Sequence, residues 1–424
     1  MTERRICGYS NFLRPPMPRD DLTLCLSGGG FRAMLFHLGV IRALRDLDFL
    51  ESVRNIFSVS GGSIAAAHLV LNWERYTATK DAAFQEVANE LVEFAGLDLR
   101  GKILRRAPLG WIPPFYFART EQLARGYGKL FKNLMLESLT ATGRPRLHIL
   151  ATNMVSGELY FFDAAGIHKI DAAGIVSQVA DAAELPIGKA VAASSAFPPF
   201  FPPVKLKARE LGITDTRMRS VERFTDGGVF DNTGVRAALA LAASGRLVVS
   251  DASAGFDQAT DQAFRIVISR AIRSSDILMS RVSALEDEHL RHINPSFVSC
   301  NISEFITKND LRGINVSGGV QTQSPAVQKW IKNVRTDLDK FPMALIQPIF
   351  RHGYETGLRL GPQLSPGRQF VITHPTWSPG GTRSQGAEQV AGGHNEDREH
   401  FPPCAYRCCT HRCRCDRATS HPSA

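Results

Sequence analysis

The chain contains no run of about 18 consecutive apolar residues, so no membrane-spanning helix is expected. Its first residues, MTERRICGYSNFLRPPMP, carry early positive charge with no apolar segment behind them, which is not a secretory-signal pattern. Cysteine is scarce where a core would lie. Of 8 cysteines, Cys7, Cys25 and Cys300 are scattered, and Cys404, Cys408, Cys409, Cys413 and Cys415 crowd the end. The body therefore needs no disulfide framework, which fits a reducing compartment. The terminal cysteines and His411 are zinc-type donors, but they form no two well-spaced C-x-x-C pairs, and no metal or other cofactor is expected. No Lys/Arg block of nucleic-acid type stands out, although the formal net charge is +9. That charge serves solubility or attraction to an anionic lipid surface, and no nucleic-acid partner is expected. A cytoplasmic protein, or one peripheral to a membrane, is the expectation.

What is present is a long chain, 44% apolar over 424 residues, with room for one large core. Residues 1–20 read as an extension and 21–360 as the main domain. The first part of that domain alternates strand and helix: a strand at Leu22–Leu26, a helix from Phe31 to Leu47, a strand at Ile56–Val59 and a helix from Ile64 to Leu71. A largely helical insertion follows at about 74–137. It contains Lys102, Arg105 and Arg106 before Trp111, Phe115, Tyr116 and Phe117, and basic residues beside aromatics suit a membrane interface. From about Arg144, strands at Leu147–Thr152, Glu158–Asp163 and Leu247–Ser250 and helices at Phe264–Leu285 and Met343–Leu360 restore the layered α/β pattern. From 361 to 424 proline, glycine and polar residues dominate, and a disordered tail is expected.

Three short stretches carry the chemistry. Ser27-Gly28-Gly29-Gly30-Phe31-Arg32-Ala33-Met34 follows a strand and opens a helix. Its bare N–H groups and the positive helix end suit a developing oxyanion, and Arg32 would add a cation. The same stretch also satisfies a dinucleotide-binding pattern. Ser58-Val59-Ser60-Gly61-Gly62-Ser63 lies between strand and helix, where a tight turn can project a serine hydroxyl above a sheet. A nucleotide-binding fold would want an acid at the end of this strand, and none is there, so an oxidoreductase is disfavoured. Phe224-Thr225-Asp226-Gly227-Gly228 places a carboxylate on a glycine turn, either as a base for the serine or as an ordinary structural turn.

In this order the three stretches resemble the patatin-like phospholipase family, and Ser27–Met34 is similar to the group IV cytosolic phospholipases. Leu150-Ala-Thr-Asn153 with Gly157-Glu158, and Ala193-Ser-Ser-Ala196-Phe-Pro-Pro-Phe-Phe-Pro-Pro203, add to the likeness. The resemblance implies a three-layer α/β/α fold around a mostly parallel sheet. It also implies a lipid acyl hydrolase with a Ser–Asp dyad, no metal, an acyl-lipid substrate and transient membrane contact. By matching position Ser60 is the nucleophile and Asp226 the base. Gly29 and Gly30 are the oxyanion donors, supported by Gly28 and Arg32, while Gly61, Gly62, Gly227 and Gly228 shape the turns. Two positions depart from the family pattern: Ser58 stands where G-x-S-x-G begins with glycine, and Ala33 closes the glycine stretch. The nearest rival is a Ser–His–Asp hydrolase using His289, His292 or His352. Against it, His289 and His292 follow an acidic, solvated helix face and His352 sits inside a late helix. Phe197, Phe200 and Phe201 are candidates to line an acyl channel.

Overall fold

The computed structural model describes residues 21–106, 118–198, 200–212, 218–241, 246–253, 267–294, 297–317, 319, 321–373, 377 and 379. In chain order the strands are β1 (Leu22–Leu26), β2 (Val53–Ser58), β3 (Arg146–Asn153), β4 (Leu159–Asp163), β5 (Gly166–Ile170), β6 (Val176–Asp181), β7 (Val204–Lys207), β8 (Val221–Asp226), β9 (Arg246–Asp251), β10 (Val298–Asn301), β11 (Ile314–Val316) and β12 (Phe370–Ile372). The helices are α1 (Gly30–Asp46), α2 (Gly61–Leu71), α3 (Trp73–Thr77), α4 (Asp81–Ala95), α5 (Leu99–Arg106), α6 (Ala118–Leu130), α7 (Ile187–Ser195), α8 (Val235–Leu241), α9 (Val267–Ile293), α10 (Pro325–Ile331), α11 (Met343–Leu358) and α12 (Leu360–Leu364).

Ten strands form one mixed sheet in the order β10-β9-β1-β2-β3-β4-β5-β6, with β8 also on β3 and β7 on β8. From β10 to β3 every pairing is parallel. Beyond β3 the pairings are antiparallel. Both faces of the parallel part are covered, so its strands are apolar on both sides. Leu22, Leu24 and Leu26 of β1 point into the core that holds α1, α2 and α11. Cys25 points the other way, toward Val235 and Ala238 of α8 and Leu290 of α9. The three α/β/α layers expected from the sequence are present.

Helix α1, expected from Phe31 to Leu47, is buried all round. Its residues 30–44 are all buried, because α11 covers the side that the sheet leaves open. The two helices touch through glycine: a Cβ on Gly39 would strike the Phe350 carbonyl, and one on Gly353 would strike the Phe36 carbonyl. The insertion between α2 and β3 is helical where described, as α3 to α6. Trp111, Phe115, Tyr116 and Phe117, expected at an interface, lie outside the described residues.

The domain does not stop at residue 360. Leu364, Phe370 and Ile372 are buried, and β12 pairs in parallel with β11. Trp377 packs edge-on against Phe84 and Phe350, with ring centroids 6.1 and 5.1 Å apart. The expectation of a tail from 361 is corrected accordingly: alternating apolar residues sit among the glycines and prolines of 361–379. The terminal cysteine cluster lies outside the described residues.

Candidate active site

The sheet register brings Ser60 and Asp226 together. Strand β2 pairs in parallel with the first half of β3, through Ser58 opposite Ile149. Strand β8 pairs antiparallel with the second half of β3, ending at Asp226 opposite Ala151. Both strands occupy the same edge of β3 and run toward one another. Two residues past the end of β2, the Ser60 hydroxyl faces the Asp226 carboxylate, close enough to favour its ionised form.

Ser60 caps α2 with φ 51° and ψ −116°, a conformation that non-glycine residues rarely adopt. Holding it costs on the order of 1–3 kcal/mol. The chain passes so closely here that a Cβ on Gly61 would strike the Gly30 carbonyl, and one on Gly62 the Leu26 carbonyl. Ser60 remains 8% exposed, at the floor of a cavity of about 580 Å³.

Asp226 ends β8 and caps the turn Gly227–Val229, its Oδ1 accepting the Gly228 N–H at 2.8 Å. Gly227 lies against the Leu150 carbonyl, where a Cβ would come within 2.7 Å. Burial, only partly offset by the Gly228 N–H and the Ser60 hydroxyl, pushes the carboxyl up to about 7. That places it near neutrality, where a general base works best.

The glycine stretch divides its donors. The Gly28 N–H is committed to the Asn232 carbonyl at 3.0 Å and the Phe31 N–H to Asp337 at 3.0 Å. The N–H groups of Gly29 and Gly30 have no hydrogen-bond partner among the described residues, and both glycines line the cavity. Gly29 has φ 138° and Gly30 φ 58°, backbone that favours glycine. The stretch is held from behind. The Ser27 hydroxyl accepts the Ala252 N–H at 2.7 Å. His37 donates from Nε2 to the Ser27 carbonyl at 2.9 Å and accepts the Ser250 hydroxyl at Nδ1. Burial lowers this imidazole to about 4, so it stays neutral.

Arg32 does not serve as expected. Its guanidinium donates to the carbonyls of Lys332, Val334 and Ala252 at 2.8–2.9 Å, and it is not among the cavity-lining residues. It braces the glycine stretch from behind instead of offering a cation to the cavity, and Gly28 likewise has no N–H left to offer. Asp231 caps α8, accepting the N–H groups of Thr233, Gly234 and Arg236.

The rival histidines are elsewhere. His289 and His292 are exposed on α9. His352 is buried, hydrogen-bonded to the Ile302 carbonyl, and lowered by burial to about 4. No histidine is found among the described residues that line the cavity.

The cavity lies at the carboxyl ends of β1, β2, β9 and β10, where chain direction outward from β1 reverses, the usual ligand crevice of an open α/β sheet. Phe197, Phe200, Phe201, Met279 and Leu338 give it an apolar wall. Two parts of it were not foreseen in the sequence. Arg335 to Leu338 form one side, and the inner face of α9, with Asp276, Met279, Ser280 and Ser283, forms another. Neither stretch carries a glycine motif or an unusual composition to mark it.

A family model described as "Patatin-like phospholipase" matches residues 24–239, just over half of the 424-residue chain and all three motifs. The chain belongs to the patatin-like phospholipase family. No curated protein sequence matches it. Among solved structures, human GIVD cytosolic phospholipase A2 is similar at 12% identity and TM-score 0.49, over 81% of this chain and 63% of that one. The same human protein in complex with methyl gamma-linolenyl fluorophosphonate gives 15% identity and 0.48, over 81% and 58%. VipD from Legionella pneumophila gives 14% identity and 0.33, over 82% and 67%. The chain thus spans less than two thirds of the length of the human phospholipase. The Arg335–Leu338 wall and α9 lie outside the residues that the family model matches.

Proposed function

We propose that this patatin-like chain hydrolyses carboxylic esters of phospholipids or related glycerolipids, with Ser60 as nucleophile and Asp226 as base. The observation that carries the proposal is the Ser60 hydroxyl set against the Asp226 carboxylate in one cavity with the Gly29 and Gly30 N–H groups, which have no partner among the described residues. As Ser60 Oγ attacks the ester carbonyl, its proton passes to Asp226, and the Gly29 and Gly30 N–H groups receive the charge forming on oxygen. The alcohol leaves with that proton. Water, deprotonated by Asp226, then attacks the acyl-enzyme and releases the fatty acid. The phenylalanine wall accommodates the acyl chain.

Among the described residues no helix is long and apolar enough to cross a membrane. Contact with lipid is proposed through the outer face of α9. Leu278, Val282 and Leu285 are 66%, 39% and 48% exposed, opposite the residues that line the cavity, and exposed Arg270 and Arg281 accompany them. Such a face suits the boundary between acyl chains and anionic headgroups. The test is a panel of phospholipids, lysophospholipids, triacylglycerols and acyl thioesters offered to wild type and Ser60→Ala. Fatty-acid release by wild type alone supports the proposal, and equal release by both proteins refutes it.

A further inference from the structure

Three buried serines beneath the Ser60 turn have no part in the chemistry above. Ser58 is the last residue of β2, Ser63 lies in the first turn of α2, and Ser194 lies near the end of α7. All three are fully buried, where an unpaired hydroxyl would be costly. The Ser60 N–H donates to Ser194 Oγ at 2.9 Å. Ser63 Oγ donates to Ser58 Oγ at 3.1 Å, and Ser58 Oγ to the His148 carbonyl of β3 at 3.4 Å. Ser63 and Ser194 are 2.9 Å apart. A hydroxyl has one proton, and that of Ser63 is already given to Ser58, so Ser194 must be the donor to Ser63. The bonds therefore run one way, from the Ser60 N–H through Ser194, Ser63 and Ser58 to the His148 carbonyl, and bonds in such a chain strengthen one another.

The end of α7 also holds the other half of the dyad. Two residues after Ser194, the Ala196 carbonyl accepts the Asp226 N–H at 3.3 Å and the Thr225 hydroxyl at 2.8 Å. One short segment thus grips the backbone of both Ser60 and Asp226. We infer that Ser194 is a positioning residue: through the serine chain it fixes the Ser60 peptide in its positive-φ turn, and through the α7 end it sets the approach of that hydroxyl to Asp226. Ser58, which departs from the family's glycine, is the anchor that ties this chain to the sheet.

The inference rests on the hydrolase proposal, and the test separates the two. Labelling by a fluorophosphonate is timed for wild type, Ser194→Ala, Ser63→Ala and the double variant, alongside kcat and KM on a soluble ester and a circular-dichroism melt. Ser194→Ala is expected to slow labelling and kcat by about ten- to a hundredfold with KM unchanged, as misplacement of a reacting group does. Ser63→Ala is expected to be milder, and the double variant no slower than Ser194→Ala, because both act through one chain. Folded Ser194→Ala that labels at the wild-type rate overturns the inference, as do fully multiplicative effects. If Ser194→Ala fails to fold, Ser63→Ala decides alone: it leaves the Ser60–Ser194 bond in place, and wild-type labelling by it overturns the serine chain. Wild type that is neither labelled at Ser60 nor active on any ester overturns the hydrolase proposal instead.

Discussion

At the scale of the residue, most depends on Asp226. An ordinary aspartate, near 3.9, is a weak base toward a serine hydroxyl. Burial lifts this one to about 7. In the proposed mechanism the ionised form is the base, so kcat/KM is expected to rise with pH through about 7 and then level off, and a rate flat from pH 5 to 9 would contradict this. The same burial opposes folding once the group ionises. A carboxyl raised in the folded state favours the fold below its unfolded value and loses that contribution as pH rises through about 7. Asp226→Asn never ionises, so relative to wild type it should gain stability between pH 4.5 and 8.5. The expected gain, read from denaturant melts, is on the order of 4 kcal/mol. A difference independent of pH would contradict it. Activity should fall in the same variant by roughly a thousandfold or more. Asp231→Asn should do the opposite: it puts an amide among the donors of the α8 cap, so it loses stability while its folded fraction keeps turning over.

Ser60 and Asp226 could be proposed from the sequence because each sits on a glycine-marked turn, and the fold brings the two turns to one cavity. The proposed donor role of Gly29 and Gly30 can be read from the glycine stretch, but not the fate of their neighbours. Arg32 looked like a cation for the oxyanion, yet it binds the carbonyls of Lys332 and Val334, three hundred residues on in the chain. Ser194 lies in a stretch that adds to the family likeness, but nothing local marks its role, since its partner is the backbone of a strand-to-helix turn far from it in sequence.

At the scale of the element, strands and helices with clear periodicity were anticipated within a few residues: β1, β2, α2, β9 and α11 among them. The short antiparallel strands β5, β6 and β7 were not, because brief strands with charged or polar residues resemble loops until a partner strand is known. The end of the domain was misjudged for a related reason. Strand β12 is only three residues long, and its pairing with β11 is invisible in composition. A chain ending after Leu364 would lose Phe370, Ile372 and Trp377 from the core. Its melting temperature should fall by on the order of 10 °C. A chain ending after residue 379 should melt as the full chain does. Equal melting of the two shortened chains would show that β12 contributes nothing.

At the scale of the whole molecule, the parallel sheet gathers loops from β1, β2, β9 and β10 at one edge, and α9 crosses above them. One face of that helix looks into the cavity and the other, with Leu278 and Leu285, looks outward. Replacing both leucines by glutamate should weaken cosedimentation with anionic phospholipid vesicles by roughly tenfold or more. Turnover of a short soluble ester should be unchanged, and vesicle binding equal to wild type would place the lipid contact elsewhere.

The most direct test of the dyad is the adduct formed with a fluorophosphonate, read by intact mass and peptide mapping. Wild type should gain one equivalent, on the peptide holding Ser60, with none on Ser60→Ala and greatly slowed gain on Asp226→Asn. Undiminished labelling of Ser60→Ala, or labelling of Asp226→Asn at the wild-type rate, would contradict the assignment of these two residues.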